Sequence, residues 1–210
     1  MIEAVIWDFG GVFTTSPFEA FARYERENDL PEDLIRRINS ENHLTNAWAR
    51  FERAELTLDE FDKAFADEAL VMGHYVPGKD IIGLLSGDFR PEMIEALRRI
   101  KTKYKTGCIT NNVPANMTGS NEGRTLYAKD VMALFDHVIE SAKTGIRKPD
   151  PRIYEMMCEA LSVKPDACIY LDDLGVNLKP ARTMGMETIK VESGPQAIAA
   201  LEHLTGMNLH

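Results

Sequence analysis

The chain has 210 residues, 44% of them hydrophobic, enough for one sizeable core carrying at most a smaller satellite. Its 33 Asp and Glu outnumber its 24 Lys and Arg, giving a net charge of −9 that argues against a sequence-independent hold on nucleic acid phosphates. No apolar run approaches the roughly 18 residues of a membrane helix, and the opening Met1-Ile2-Glu3-Ala4 carries no basic leader, so neither a membrane span nor a signal peptide is expected and a cytoplasmic setting fits.

The first run of β-branched and aromatic residues, 4–7, predicts a buried strand. Residues 16–88 then show only helical periodicity, as in Leu44, Ala47, Trp48 and Phe51, or in Leu58, Phe61 and Phe65 behind the capping box Thr57-Leu58-Asp59-Glu60. The charge is uneven: residues 16–90 hold 16 acidic and 9 basic side chains, the rest of the chain 17 and 15. Amphipathic spacing places those charges on outer helical faces. Four further strands are expected at 106–109, 137–139, 167–171 and 188–191. Helical patterns alternate with them: Met93, Leu97, Ile100 and Tyr104; then Ile153, Met157 and Leu161; then Ile198, Leu201 and Leu204. Pro91, Asp150-Pro151 and Asn177 mark helix starts, and Gly185 and Gly206 mark stops. Residues 113–124, rich in Pro, Gly, Asn and Ser, read as a long loop. Cys108, Cys158 and Cys168 sit among apolar residues, as packed, reduced thiols do.

Alternating strands and helices define an α/β fold: a doubly wound, Rossmann-like parallel sheet. The division expected is a core of residues 1–15 and 89–210 with an inserted α-helical cap of 16–88. Ligands bind such sheets at the carboxyl ends of the strands, where an insert after the first strand can cover them.

The ends of the strands carry Asp8, Thr110-Asn111, Lys148 in a loop, and Asp172-Asp173. Singly, each has a structural explanation as a turn cap or a solvated loop residue. Together they comprise a carboxylate nucleophile, a hydroxyl with an amide, a cation and an acidic pair, the parts of an aspartyl-phosphate site. The acids suit a divalent metal with oxygen ligands, such as Mg²⁺. The metal lets anionic Asp8 approach a phosphate, while Thr110 and Lys148 offset charge on its oxygens.

This order of motifs resembles the haloacid dehalogenase superfamily over the whole chain. More narrowly, the chain looks like the amino-terminal phosphatase domain of soluble epoxide hydrolases and the related domain of some acyl-CoA dehydrogenase fusions. Residues 135–154 (FDHVIESAKTGIRKPDPRIY), 170–186 (YLDDLGVNLKPARTMGM) and 201–209 (LEHLTGMNL) carry the likeness. The resemblance implies a phosphatase acting on a small phosphorylated metabolite, with Asp8 as nucleophile and metal ligand. Thr110, Asn111 and Lys148 would bind phosphate, Asp173 would bind Mg²⁺ with the Gly10 carbonyl, and Asp172 and Asn177 would support them. It implies nothing about oligomeric state, and the epoxide-hydrolysing activity does not transfer.

One position departs from the pattern. The superfamily's phosphatases usually place a second Asp, the general acid and base, two residues after the nucleophile, where this chain has Gly10. Thr14 and Thr15 are close in sequence but are not acids at neutral pH. Two alternatives therefore stand beside phosphatase: a weakened phosphate- or metabolite-binding module, and a haloacid dehalogenase, which also lacks that Asp. A phosphorylation receiver is disfavoured because its acidic pair follows the first strand. Of the insert's polar residues, the sequence does not say which of Tyr24, His43, Trp48, Arg50 or His74 faces the crevice.

Overall fold

The computed structural model describes residues 1–112 and 122–210. Five parallel strands, β1 (Ala4–Trp7), β2 (Lys105–Thr110), β3 (His137–Glu140), β4 (Cys168–Asp172) and β5 (Glu187–Lys190), form one sheet in the order β3-β2-β1-β4-β5. β1 lies at the centre, with Trp7 in register with Cys108 on one side and Leu171 on the other. The strands fall where β-branched and aromatic residues cluster, with no end displaced by more than one residue. β4 runs through Asp172 because that residue still pairs with Lys190, and β2 includes Thr110 opposite Glu140.

Alternation along the strands sorts side chains into two layers. Val5, Trp7, Ile169 and Leu171 pack with α6 (Pro91–Ile100) and α11 (Gly194–Thr205); Ala4, Ile6, Cys168 and Tyr170 pack with α9 (Pro151–Leu161) and α10 (Gly175–Thr183). α9 lies so near β2 that a Cβ on Gly107 would fall 2.5 Å from the Met157 sulfur, which explains glycine in mid-strand. The three cysteines are buried and free, as expected. Of the loop expected over 113–124, residues 113–121 lie outside the described residues and the remainder begins α7 (Glu122–Met132).

Between β1 and α6 stand five helices: α1 (Phe18–Glu27), α2 (Leu34–Ser40), α3 (Ala47–Glu52), α4 (Leu58–Val71) and α5 (Gly78–Gly83). They enclose their own apolar cluster, in which Phe61 stacks on Phe51 at 4.4 Å and touches Trp48 and Phe65. The chain enters and leaves this insert side by side: Thr14 bridges Phe89, and Thr15 N–H donates to the Asp88 carbonyl at 2.8 Å. Twelve of its sixteen acids are exposed, Asp62 and Glu68 are half-buried, and Glu25 and Glu52 are buried. Glu25 accepts the Asp33 and Ile35 amides at the start of α2.

Two sequence expectations fail locally. Leu44 is 57% exposed and outside the helix, because Asn46 caps α3 by accepting the Ala49 amide and so begins it after Leu44. Asn177 is the third residue of α10 rather than its cap: Asp172 takes the Leu174 amide just before that helix, freeing the Asn177 side chain for another task. α8 (Ser141–Thr144) was not expected. The capping box at Thr57 and Glu60 forms as expected, and Gly206 ends α11 in a left-handed conformation. Among the described residues, no helix is long and apolar enough to cross a membrane.

The insert's aromatic stack sets its stability. Phe61→Ala is expected to cost about 3–5 kcal/mol and Thr57→Ala about 1 kcal/mol, both measurable as shifts in urea unfolding.

Candidate active site

Because the strands are parallel, their carboxyl ends deliver Asp8, Thr110, Glu140 and Asp172 to one edge. The loop before α9 adds Lys148, which is fully buried rather than solvated. Its ammonium lies 2.8 Å from Asp8 Oδ1 and 2.8 Å from Asp172 Oδ2, tying together the ends of the adjacent strands β1 and β4. Asn111 fixes the main chain of the same lysine: its Oδ1 accepts the Lys148 amide at 2.9 Å and its Nδ2 donates to the Lys148 carbonyl at 3.0 Å. The sequence pattern brought these residues to one edge; it gave no sign that Asn111 would clasp the lysine backbone.

Asp172 is saturated. Besides Lys148 it accepts from the Tyr170 hydroxyl at 2.5 Å, the Leu174 amide at 2.8 Å, and Asn177 Nδ2 at 3.1 Å to each oxygen. Tyr154 donates to the Asn177 carbonyl and meets Tyr170 edge to face, so two buried tyrosines back this acid. Asp8 is less fully engaged: its Oδ1 accepts the Phe9 amide at 2.6 Å and the Lys148 ammonium. Asp173 stands against Gly11, whose φ of +72° and lack of a side chain make room; a Cβ there would lie 2.2 Å from Asp173 Oδ2. Gly10 is exposed, with open space where a Cβ would point.

Carboxylate oxygens of Asp8, Asp172 and Asp173 lie within 4.8 Å of one another. Three acids around one ammonium leave excess negative charge in a buried place. Burial pushes the Asp8 carboxyl well above its usual range, Lys148 opposes this, and Asp172 and Asp173 add to it. Burial and Asp172 raise Asp173 to about 6. Lys148 is held charged because its two carboxylate partners outweigh the effect of burial. The donor set is all oxygen and in need of positive charge, which suits a hard divalent cation; with Asp172 saturated, Asp8 and Asp173 are the carboxylates open to it.

Around this centre lie residues the sequence did not single out. Arg147 Nε donates to Glu52 Oε2 of α3 at 2.6 Å, and Ser141 Oγ donates to the Glu52 carbonyl at 2.7 Å. The signal for Arg147 was its place beside Lys148 in the string GIRKPDP; nothing marked its partner. Of the insert's polar residues, Tyr24 donates to Asp80, Trp48 donates to Glu52, and the His43 carbonyl accepts from Arg147. Thr14 Oγ1 accepts the Gly11 amide, and Thr15 Oγ1 the Asp88 amide.

A doubly wound sheet with an acid after its first strand, a buried lysine and a late acidic pair defines a class, and residues 2–185 match the haloacid dehalogenase-like hydrolase family. The chain belongs to that family. It is 35% identical over 217 residues to acyl-CoA dehydrogenase family member 10 of Mus musculus, covering 99% of this chain and 20% of the mouse protein. It is 28% identical to bifunctional epoxide hydrolase 2 of Sus scrofa, covering 99% of this chain and 40% of the pig protein, so it spans less than half the length of either relative. Phosphatase MT3486 of Mycobacterium tuberculosis (strain CDC 1551 / Oshkosh) is 32% identical over 204 residues, covering 93% of this chain and 89% of that protein. Among solved structures, a haloacid dehalogenase family enzyme of Bacteroides thetaiotaomicron in complex with magnesium and inorganic phosphate superposes with a TM-score of 0.61 at 20% identity, covering 92% of this chain and 96% of that one. The L-2-haloacid dehalogenase of Xanthobacter autotrophicus superposes with a TM-score of 0.62 at 18% identity, covering 99% and 85%. The fold is thus shared with both enzymes and does not choose between their chemistries.

Removing the lysine leaves buried carboxylates without their cation. Lys148→Met is expected to cost about 3–5 kcal/mol at neutral pH in the absence of divalent metal. A raised Asp8 carboxyl binds its proton more readily in the folded than in the unfolded chain, so lowering the pH favours the folded state. Without the Lys148 charge that opposes the effect of burial, the Asp8 carboxyl rises further in the variant than in the wild type, so the loss should shrink when urea unfolding is repeated at mildly acid pH.

Proposed function

We propose that the chain is a Mg²⁺-dependent phosphatase that hydrolyses a small phosphomonoester, or a similarly activated phosphate, through an aspartyl-phosphate on Asp8. The observation that carries this reading is the Lys148 ammonium, buried and 2.8 Å from Asp8, beside a second open acid, Asp173. A phosphatase among the relatives that align over nearly their whole length adds support.

Asp8, Asp173 and the Gly10 carbonyl would hold Mg²⁺, which would supply positive charge to offset that of the phosphate and the carboxylates. An Asp8 carboxylate oxygen attacks phosphorus, the bond from phosphorus to the ester oxygen breaks, and its electron pair leaves with that oxygen. Lys148 orients the nucleophile and offsets charge on the phosphate. Thr110 offers its hydroxyl, and Asn111 offers the amide hydrogen that remains beyond its bond to Lys148. Water then attacks the phosphorus, the bond to Asp8 breaks with its electron pair returning to the carboxylate, and inorganic phosphate leaves; the proton that water gives up to solvent balances the one that the leaving oxygen takes from it. Asp172, held by Tyr170, Asn177 and the Leu174 amide, keeps Lys148 in place.

Gly10 supplies no proton to the leaving oxygen. General acid catalysis contributes about 10²- to 10⁴-fold, so good leaving groups are favoured. Residues 1–15 and 89–210 form the catalytic body in this reading, and the insert over 16–88 is its cap, rooted by the Thr14–Phe89 bridge a few residues beyond Asp8. Gly10 also supports a second reading, a phosphate-binding module without turnover. A dehalogenase is disfavoured because displacing halide from a haloacid gains nothing from an acid pair poised for a cation.

A panel of aryl, acyl and sugar phosphates tests this. Release of phosphate from aryl or acyl members should require Mg²⁺, stop with chelator and fall to background in Asp8→Asn, while haloacids yield no halide. Phosphate binding without Asp8-dependent release would select the binding module. Gly10→Asp, at a position where a Cβ would meet nothing within 4 Å, is expected to raise turnover of unactivated esters by about 10²-fold or more; an unchanged rate would mean that the proton comes from another group.

A further inference from the structure

We infer that Glu52, carried by the helical insert, is a positioning residue for Lys148, acting through Arg147 and Ser141. Glu52 is 6% exposed at the end of α3 and engages the sheet's edge with both its side chain and its main chain. Its carboxylate accepts from Arg147 Nε at 2.6 Å and from Trp48 Nε1 at 2.9 Å, while its carbonyl accepts from Ser141 Oγ at 2.7 Å. Arg147 also donates to the His43 carbonyl at 2.8 Å, so both ends of its guanidinium are held by the insert.

These contacts reach the two loops that matter most. Arg147 immediately precedes Lys148. Ser141 Oγ accepts the amide of Asn112 at 3.2 Å, the neighbour of Asn111, which in turn clasps the Lys148 backbone. One residue of the insert therefore sets the approach of the lysine from both sides. The lysine's ammonium is fixed by Asp8 and Asp172, but where its stem begins depends on this loop.

A buried ion pair is a poor way to gain stability, since apolar residues of like volume serve as well or better. What it adds is direction: the Arg147 fork and the Glu52 carboxylate fit in few orientations. Arg147 answers the burial that pushes the Glu52 carboxyl up. The pair thus makes correct seating of the insert a condition for correct seating of Lys148.

The kinetic part of this inference rests on the proposed phosphatase reading, so the test includes a readout that does not. Glu52→Gln and Arg147→Met would be compared with Glu25→Gln, which weakens the insert at α2, away from the Glu52 contacts. The side-chain Cε–Hε NMR signal of Lys148, assigned by its loss in Lys148→Met, should shift in both Glu52→Gln and Arg147→Met but not in Glu25→Gln. With an aryl phosphate and Mg²⁺, kcat should fall by about 10- to 100-fold while KM changes little, and the double variant should be no worse than the poorer single one. Arg147→Lys, which keeps the charge but loses the fork, should give a smaller shift and remains informative should Glu52→Gln fail to fold. An unmoved lysine signal with wild-type kcat in folded Glu52→Gln or Arg147→Lys overturns the inference. A shifted signal in a protein whose wild type hydrolyses nothing would instead overturn the phosphatase reading and leave the positioning role standing.

Discussion

Everything at the carboxyl edge of the sheet is organised around one buried ammonium. Lys148 reaches two carboxylates at 2.8 Å each, and those carboxylates end strands that are neighbours in the sheet. A lone buried cation or a lone buried acid would be driven to its neutral form. Lys148 and its two carboxylate partners offset one another only while their geometry holds, which is why so much surrounding structure serves that geometry. Asn111 grips the lysine's main chain, and Tyr170, Asn177 and the Leu174 amide leave Asp172 no freedom. Immobility on one side of the centre leaves capacity on the other, at Asp8 and Asp173.

That division of labour separates the two members of the acidic pair. Adjacent in sequence, Asp172 and Asp173 point to different environments, because successive residues at a strand end diverge. Asp172 turns inward to the tyrosines of the α9–α10 layer, and Asp173 turns to the chain just after β1, where a glycine makes room. Identical side chains thus become a saturated structural anchor and an acid beside a glycine that makes room for it. Similarly, Asn111 and Asn177 are both amides beside the site, and both are engaged in holding a charged residue in place.

The sequence revealed the parallel sheet, the helical insert and the set of residues at the strand ends, since these rest on local periodicity and on the rule that strand ends meet. Its errors were of two kinds. Asn177 and Leu44 were misplaced because a neighbour, Asp172 or Asn46, had taken the capping role that fixes where a helix begins. Glu52 and the burial of Lys148 were invisible because both depend on contacts between distant parts of the chain. In the sequence, Glu52 is one of sixteen acids in a charged helical stretch, and nothing local distinguishes it from the twelve that face solvent.

The bridge between Thr14 and Phe89 bears on how such a molecule can vary. Seventy-three positions separate Thr15 from Asp88, yet their hydrogen bond closes the excursion at its base. To the sheet, the whole five-helix unit is a loop whose ends already meet, and doubling the length of a loop costs only about 0.6 kcal/mol in closure entropy. Helices could therefore be lengthened, lost or exchanged in this unit with little disturbance to strand pairing. Such freedom stops at the few residues, Glu52 foremost, through which the unit touches the rest. A lineage remodelling this region would have to keep an apolar cluster inside it, but toward the sheet it would find helix length and number permissive and the contact at Glu52 strict.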